Sequence, residues 1–339
     1  MVKIMAGVRA RRVLGVLATA ITASALVWVT HPSAQAAAPV QAVADDGARV
    51  VAQQQVDSRT IDLTIQSPAL NAQGKVRLLL PRGWAQGDGR SWPTLWLLHG
   101  CCENYDYQSW THFTDVEQFT ADKPVIVVMP TAGKIGMYSD WWNYGWSSTP
   151  NWRQFHMVEV MQIVSRHYGA SGRKSVAGLS MGAYGALEYA TRYPGTFGSA
   201  AAYSGAPDVL APGIPEITQL NVLSQGFPIW NALWGDPYAQ RQRWMEHNPA
   251  DKLAALRGTE LFISAGNGDV GPLDPDGKGI VPGLLESAAY TNSKTFAEKA
   301  TRAGIPITTD FYAPGTHSWP YWERELKRSW PMLARGMGI

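Results

Sequence analysis

The chain is poor in cysteine and in charged residues. Its 339 residues include two cysteines, which are adjacent at Cys101 and Cys102. Adjacent cysteines cannot join distant segments, so a disulfide-stabilised scaffold is excluded, although the two can bond to each other in an exported chain. Lysine and arginine total 29 against 27 acidic residues, and the net charge is +2 with no block of one sign. This balance points to neither nucleic acid nor an acidic partner.

Common cofactor motifs are missing as well. The sequence has no metal-ligand cluster, no glycine-rich phosphate loop and no dinucleotide-binding motif. The acidic segment around Asp274 and Asp276 lacks the spacing of an EF-hand calcium loop. We therefore predict neither a metal nor a cofactor.

The N-terminus has the order of a secretory signal. Basic residues come first, an apolar run follows from Val13 to Val29, and Ala34-Gln35-Ala36 matches an A-x-A cleavage site. We predict a signal peptide over residues 1–36 and hence export to the cell envelope. A membrane anchor is the alternative, since the apolar run is nearly long enough to span a bilayer. Residues 37–58, rich in alanine, glutamine and aspartate, are predicted to form a flexible tail.

Strand and helix patterns alternate over residues 59–339, which predicts a single α/β domain with a mostly parallel sheet and helices on both faces. Leu95–Leu98 and Val125–Met129 are apolar throughout, as in central strands. Residues 60–66 alternate polar and apolar side chains, which predicts a half-exposed edge strand. The predicted helices cover residues 152–168, 183–193, 293–303 and 320–333. Residues 205–248 are rich in proline and glycine, and we predict that they form a cap over the pocket.

The most specific motif is Gly178-Leu179-Ser180-Met181-Gly182. A short apolar strand precedes it and a helical segment follows. Strand, Gly-x-Ser-x-Gly, helix is the nucleophile elbow of the α/β-hydrolase fold, in which glycines permit a very sharp turn. We therefore predict the α/β-hydrolase fold and Ser180 as nucleophile. A serine that merely caps a helix in a glycine-rich turn is the alternative.

A catalytic serine needs a base and an acid, which follow it in this fold in the order acid, histidine. His247 and His317 are the histidines after Ser180, and His317 directly follows the last predicted strand, so we predict it as general base. By position Asp269 leads as the acid, and Glu286 is the other candidate.

The oxyanion hole needs two backbone N–H groups. We predict that Met181, directly after the nucleophile, and Cys101, in the loop after an early central strand, supply them.

From about Arg59 onward the chain resembles the antigen-85 mycolyltransferases and their corynebacterial branch. The matching segments occur in the order found in that family: Leu97–Gly100, Ser109–Trp110, Val127–Pro130, Tyr138–Trp141, Ala232–Gly235, Gly266–Gly268, Leu285–Glu286, Gly315–Trp319 and Tyr321–Trp322. The resemblance implies an exported acyltransferase that moves a mycolic acyl group from trehalose monomycolate to a second trehalose or to cell-wall arabinogalactan. Its substrates would be a glycolipid ester and a sugar acceptor.

The resemblance also bears on individual residues. The family's acid is a glutamate in a Leu-Glu context, which matches Glu286 and places it above Asp269. The matching substrate-contacting positions are His99, Cys102, Ser318 and Trp319.

One segment departs from the family. Its oxyanion loop reads Leu-Asp-Gly-Leu-Arg, with the aspartate and arginine contacting trehalose, whereas this chain has His99-Gly100-Cys101-Cys102. The chain thus lacks two groups that form charge-assisted hydrogen bonds to sugar, and a His-Gly pair here is typical of serine hydrolases in which the histidine is structural. A carboxylesterase or lipid esterase that uses water is therefore the alternative function. A non-catalytic cell-wall binding protein is a third hypothesis, against which the intact Ser180, Glu286 and His317 set argues.

Overall fold

Nine strands form one sheet at the centre of the described structure, with helices on both faces. The computed structural model describes residues 42–227, 229–274 and 280–339, which belong to one compact unit. The predicted signal peptide, residues 1–36, lies outside the described residues.

The sheet is antiparallel at one end and parallel over the rest. Its strands are β1 Arg49–Gln55, β2 Thr60–Ser67, β3 Ala72–Leu79, β4 Trp92–Leu98, β5 Ile126–Pro130, β6 Ala170–Leu179, β7 Ser199–Tyr203, β8 Glu260–Gly266 and β9 Ile307–Tyr312. They are arranged in the order β1-β2-β3-β5-β4-β6-β7-β8-β9. Pairing is antiparallel from β1 to β5 and parallel from β5 to β9. The predicted α/β-hydrolase architecture is confirmed.

The helices form two layers, because successive side chains of a strand point to opposite faces of the sheet. They are α1 Ser109–Phe113, α2 Val116–Phe119, α3 Trp152–Gln154, α4 Met161–His167, α5 Met181–Arg192, α6 Ile214–Ser224, α7 Arg241–Glu246, α8 Ile280–Arg302 and α9 Trp319–Met337, with a π-helical turn at Phe155–Val160 joining α3 to α4. Val176 of β6 packs in the core shared with α4, α5 and α8. Its neighbour Ala177 packs in the core shared with α1, α2 and α9. Within the described residues, no helix combines the length and apolarity that a membrane crossing needs.

The N-terminal edge of the sheet differs from the sequence-based expectation. Residues 49–55, expected within the flexible tail, form β1 and pair with β2 along its length. The strand β2 is therefore interior rather than an edge, and most of its side chains are buried. The sequence of β1 indicates a strand only weakly, because its side chains are largely polar and only Val50 is buried.

Two further elements differ from expectation. The strand β7 was not predicted because its sequence, Ser-Ala-Ala-Ala-Tyr, is rich in the residue with the highest helix propensity. It is fully buried between β6 and β8, where its alanine side chains pack into the cores on both faces of the sheet. The helix predicted over residues 293–303 is the C-terminal half of the longer α8, which contains Pro282 in its first turn.

Candidate active site

Ser180 lies at the sharp turn between β6 and α5. Its φ of 51° and ψ of −116° are strained for a residue with a side chain, and its N–H donates to the carbonyl oxygen of Tyr203 at 2.9 Å. The two glycines of the motif are required by close approach. A Cβ at Gly178 would overlap the carbonyl of Gly182, and one at Gly182 would overlap the carbonyl of Leu98. The motif therefore has the geometry of a nucleophile elbow.

Glu286, on α8, holds the ring of His317. Its Oε2 lies 2.7 Å from Nδ1 of His317. Its Oε1 accepts hydrogen bonds from Ser204 Oγ at 2.7 Å and from the Gly266 N–H at 2.6 Å. The Glu286 side chain is fully buried, whereas the His317 side chain keeps 13 % of its surface exposed. The carboxylate is thus fixed in place behind the imidazole, which faces the cavity.

Asp269 and His247, the alternative candidates for the acid and the base, lie away from this contact. Asp269 is exposed and hydrogen-bonds to Asn267, so the structure brings Glu286 and not Asp269 to His317. His247 stacks on Trp234 with ring centroids 4.9 Å apart and lies 3.4 Å from the buried carboxylate of Glu188. Burial lowers the pKa of His247, which packs away from Ser180.

Asp274 holds the loop that carries His317, a role that the sequence did not reveal. Its Oδ1 accepts from the hydroxyl groups of Thr316 and Ser318, and its Oδ2 accepts from the hydroxyl group of Tyr321 at 3.2 Å. The only sequence signal was an acidic segment that resembled a poor calcium loop. Within the described ranges no group of three histidine, cysteine, aspartate or glutamate residues is placed to hold a metal ion.

The predicted oxyanion loop lies against Ser180. A Cβ at Gly100 would come within 2.7 Å of a Leu179 methyl group, which keeps this loop close to the elbow. Cys101 and Cys102 form a disulfide, and the Cys102 N–H donates to the Lys134 carbonyl at 2.7 Å. Cys101 lines the cavity beside Ser180, together with Met181.

The structure corrects the expected substrate contact of His99. Its ring is 2 % exposed and does not line the cavity around Ser180 in the described part of the chain. Its Nδ1 lies 2.8 Å from the Gly100 carbonyl oxygen, and its Nε2 lies 3.0 Å from the Ala132 nitrogen. His99 therefore braces the loop from behind, as its His-Gly context suggested.

The cavity around Ser180 has two lobes that share Ser180, His317 and Cys101. The first lobe, of about 250 Å³, is mainly apolar. It is lined by Cys102 and by residues that include Ile135, Met137, Tyr184, Val209, Ile214, Ile217 and Leu285. Ile214 and Ile217 belong to α6, so part of the predicted cap forms a wall of this lobe.

The second lobe, of about 160 Å³, is smaller and offers polar side chains. It is lined by Ser318 and Trp319, the two predicted substrate-contacting positions of the His317 loop, and also by Glu103, which the sequence did not single out. Trp319 Nε1 donates to Glu103 Oε1 at 3.1 Å. The position of Glu103 directly after the cysteine pair was its only sequence signal. An apolar lobe and a hydrogen-bonding lobe thus meet at one serine and one histidine.

The family model described as "Putative esterase" matches residues 67–333. An esterase of Mycobacterium tuberculosis is 29 % identical over 275 residues, covering 80 % of this chain and 58 % of that protein. The chain therefore spans less than two thirds of the length of this relative. The diacylglycerol acyltransferase/mycolyltransferase Ag85B of Mycobacterium intracellulare is 28 % identical over 261 residues, covering 75 % of this chain and 78 % of that protein.

Solved structures match the same fold. Mycobacterium tuberculosis MPT51 superposes with a TM-score of 0.65 at 22 % identity, covering 80 % of this chain and 96 % of that one. A ferulic acid esterase superposes with a TM-score of 0.59 at 23 % identity, covering 82 % and 98 %. Together with the sequence relatives, these matches confirm the resemblance to the antigen-85 group.

Proposed function

The chain belongs to the esterase family whose model it matches, and on that premise we propose that it is a serine acyltransferase that moves a long, mycolyl-type acyl group from an ester donor to a sugar hydroxyl. The observation that carries the proposal is the pair of cavity lobes meeting at Ser180 and His317. The apolar lobe suits an acyl chain, and the hydrogen-bonding lobe suits an alcohol. An esterase also holds the alcohol part of its ester beside the serine, so the choice between a sugar hydroxyl and water as acceptor is left to the assay described below.

In the proposed reaction, Ser180 Oγ attacks the ester carbonyl while His317 Nε2 takes its proton. Glu286 keeps the other ring nitrogen, Nδ1, protonated and offsets the positive charge that the imidazole gains. The N–H groups of Met181 and Cys101 stabilise the oxyanion. The alcohol leaves with the proton from His317, and an acyl-serine ester remains.

The second half of the reaction repeats these steps in reverse. A sugar hydroxyl in the second lobe gives its proton to His317 and attacks the acyl-serine carbonyl. His317 then returns that proton to Ser180 Oγ as the Oγ–acyl bond breaks, which releases the new ester. Glu103 and Trp319 support this step, since a carboxylate accepts hydrogen bonds from hydroxyl groups and an indole ring packs on a sugar face. In this role they would substitute for the charged pair that residues 99–102 lack.

The apolar lobe encloses only part of a long chain. Its volume of about 250 Å³ is below that of typical pockets for drug-sized ligands, which start near roughly 300 Å³. The two helices that line this lobe also carry exposed apolar side chains, with Ile217 and Leu220 on α6 and Val281 and Leu284 on α8. We propose that the lobe holds the part of the acyl chain next to the carbonyl group and that these residues contact the rest of the acyl chain.

Hydrolysis is the second candidate function. The family's charged trehalose-binding residues are absent at residues 99–102, and one of the relatives described above is named an esterase. An esterase would use the same Ser180, Glu286 and His317 with water as acceptor. Which acceptor prevails depends on positioning and water exclusion in the second lobe.

Two experiments test these proposals. Labelling of the wild type but not of Ser180→Ala by a fluorophosphonate probe is expected, and no labelling of the wild type would contradict catalysis by Ser180. The protein is then incubated with trehalose monomycolate and the lipids are analysed. Trehalose dimycolate supports transfer, whereas free mycolic acid alone would establish the esterase instead.

Export is part of the proposal and rests on the sequence of residues 1–36. Mass spectrometry of protein from the culture medium should find a mature N-terminus directly after Ala36 or Ala38. Retention of the first 36 residues in a membrane fraction would support the anchor instead.

A further inference from the structure

We propose that the disulfide between Cys101 and Cys102 positions the oxyanion hole, so that the enzyme is active with this bond intact and loses activity when a dithiol reduces it. This role rests on the proposed function, because it requires the Cys101 N–H to stabilise the oxyanion. Adjacent cysteines close no long loop of the unfolded chain. The bond therefore lacks most of the stabilising effect of a disulfide between distant segments, and a role in the active site is the better explanation of it.

The disulfide lies where the two lobes of the catalytic cavity meet. Cys101 lines both lobes together with Ser180 and His317, and Cys102 lines the apolar lobe. An ester whose carbonyl carbon is within reach of Ser180 Oγ therefore lies beside this bond. Because Cys102 is exposed and Cys101 is half-buried, a small dithiol can reach the sulfur atoms from the solvent.

Two backbone N–H groups beside Ser180 are available to an oxyanion. The Cys101 N–H donates to no backbone carbonyl in the part of the chain that the structure describes. Met181 is the first residue of α5, where an N–H group has no partner within the helix. The direction of the Cys101 N–H depends on the backbone torsions of residues 100–102, so whatever fixes these torsions also fixes one half of the oxyanion hole.

The backbone at Cys102 needs support from its surroundings. Its φ is 71°, in the left-handed region that residues with a side chain rarely adopt, and such a conformation persists only where the surrounding structure imposes it. The Cys102 N–H donates to the Lys134 carbonyl at 2.7 Å. The disulfide adds a covalent restraint, because it closes an eight-membered ring that contains the peptide bond between the two cysteines. This ring restricts rotation on both sides of that peptide bond and hence limits movement of the Cys101 backbone.

Other contacts hold the residues on either side of the cysteine pair. Before the pair, both ring nitrogens of the buried His99 contact backbone groups. After the pair, Glu103 Oε1 accepts a hydrogen bond from Trp319 Nε1 at 3.1 Å. Since both ends are fixed, opening the ring frees only the short segment between them. We therefore expect reduction to displace the Cys101 N–H without unfolding the domain.

Reduction transfers two electrons and two protons from the dithiol to the cysteine pair. A thiolate of dithiothreitol attacks one sulfur atom, the bond between Cys101 and Cys102 breaks, and a mixed disulfide forms. The second thiol of the reagent then attacks the mixed disulfide and closes a cyclic disulfide, which leaves both cysteines as thiols. Diamide reverses the change by taking up the two electrons and two protons, and it becomes a hydrazine. Since cytosolic thiols are kept reduced and disulfides persist outside the cytosol, the enzyme would gain full activity only after the proposed export.

The test compares hydrolysis of p-nitrophenyl butyrate by the full chain before and after treatment with dithiothreitol. The chain has two cysteines, so thiol titration should rise from zero to two thiols per chain. We expect kcat to fall about tenfold or more with KM changed less than about threefold, since loss of one oxyanion donor lowers kcat by roughly 10²–10³ and here the donor is displaced rather than removed. Diamide, added after the dithiothreitol is removed, should restore kcat.

A second set of measurements separates positioning from stability. An alkyl trifluoromethyl ketone forms a tetrahedral adduct with Ser180 that carries the oxyanion, so its inhibition constant should rise by the factor by which kcat/KM falls. The double variant Cys101→Ser/Cys102→Ser keeps both backbone N–H groups but lacks the disulfide. It should have the kcat of reduced wild type, and dithiothreitol should not change it. Near-UV circular dichroism should show that the reduced protein and the variant remain folded.

Several results would overturn this role of the disulfide. They are a kcat of the reduced protein or of the double variant within about twofold of oxidised wild type, the absence of thiols after treatment, an effect on KM alone, an unchanged inhibition constant, an equal effect of dithiothreitol on the double variant, and a loss of activity that parallels the loss of the near-UV signal. The fluorophosphonate probe identifies a failure of the proposed function instead, because oxidised wild type would then not be labelled at Ser180. Labelling with a kcat that does not respond to reduction would refute the role of the disulfide alone.

Discussion

Replacing Glu286 by glutamine should abolish most of the activity while leaving the fold intact, because it would fix the wrong tautomer of His317. The Gly266 N–H donates a hydrogen bond to Oε1 of Glu286, and a backbone N–H can only donate. The glutamine must therefore place its oxygen atom at that position. Ser204 donates to the same position, since its own oxygen already accepts from Trp322 Nε1 at 2.9 Å. The amide nitrogen of the glutamine would therefore occupy the Oε2 position and face His317.

An N–H group facing Nδ1 requires Nδ1 to be the acceptor, and the proton of the neutral imidazole then sits on Nε2. A ring protonated at Nε2 cannot accept the Ser180 proton. Wrong-tautomer substitutions in serine hydrolases lower kcat by about 10⁴-fold. At 1.36 kcal/mol per factor of ten, that is about 5 kcal/mol of transition-state stabilisation.

The assay is steady-state hydrolysis of p-nitrophenyl butyrate, with thermal denaturation to verify folding. Asp269→Asn is the matched control, because Asp269 is an exposed carboxylate that bonds only to Asn267 among the described residues, and it should keep activity within twofold of wild type. Activity of Glu286→Gln within tenfold of wild type would refute the tautomer argument. A comparable loss in Asp269→Asn would reassign the acid.

Three further substitutions test the packing and charges. Asp274→Asn should lower kcat about tenfold with little change in KM, since Asp274 accepts hydrogen bonds from three hydroxyl groups in and beside the His317 loop. An unchanged kcat would show that the loop keeps its conformation without this carboxylate. Gly182→Ala should abolish activity and destabilise the protein, because the new methyl group would overlap the Leu98 carbonyl; a stable, active variant in denaturation and ester assays would contradict this. Burial raises the pKa of Glu159 from 4.5 to about 7, so the folded state holds an extra proton between these values and loses stability as pH rises through them. In urea denaturation, the free energy of unfolding of Glu159→Gln relative to that of wild type should therefore be higher at pH 8 than at pH 5 by up to about 3 kcal/mol. An equal difference between variant and wild type at both pH values would exclude this carboxyl as the cause.

The sequence identified the parts of the site that depend on local structure. A Gly-x-Ser-x-Gly turn between a strand and a helix needs only neighbouring residues, so Ser180 was placed correctly at its elbow. Continuous apolar runs located β4 and β5 because a strand buried on both faces needs them. By contrast, β1 and β7 were missed, since polar or alanine-rich strands are specified by their neighbours in the sheet rather than by their own pattern.

Tertiary structure decided the contacts that position along the chain left open. Sequence position alone favoured Asp269 over Glu286, and the family resemblance reversed that order. The packing of α8 against β8 brings Glu286 to His317, with Gly266 and Ser204 holding it. The second lobe likewise depends on Glu103 meeting Trp319, which is 216 residues away. The sequence therefore determined the sharp turn at Ser180 and the α/β fold that contains it, because these follow from local sterics and periodicity. Which carboxylate supports the base, and what surrounds the serine, depended on long-range packing that spacing along the chain does not encode.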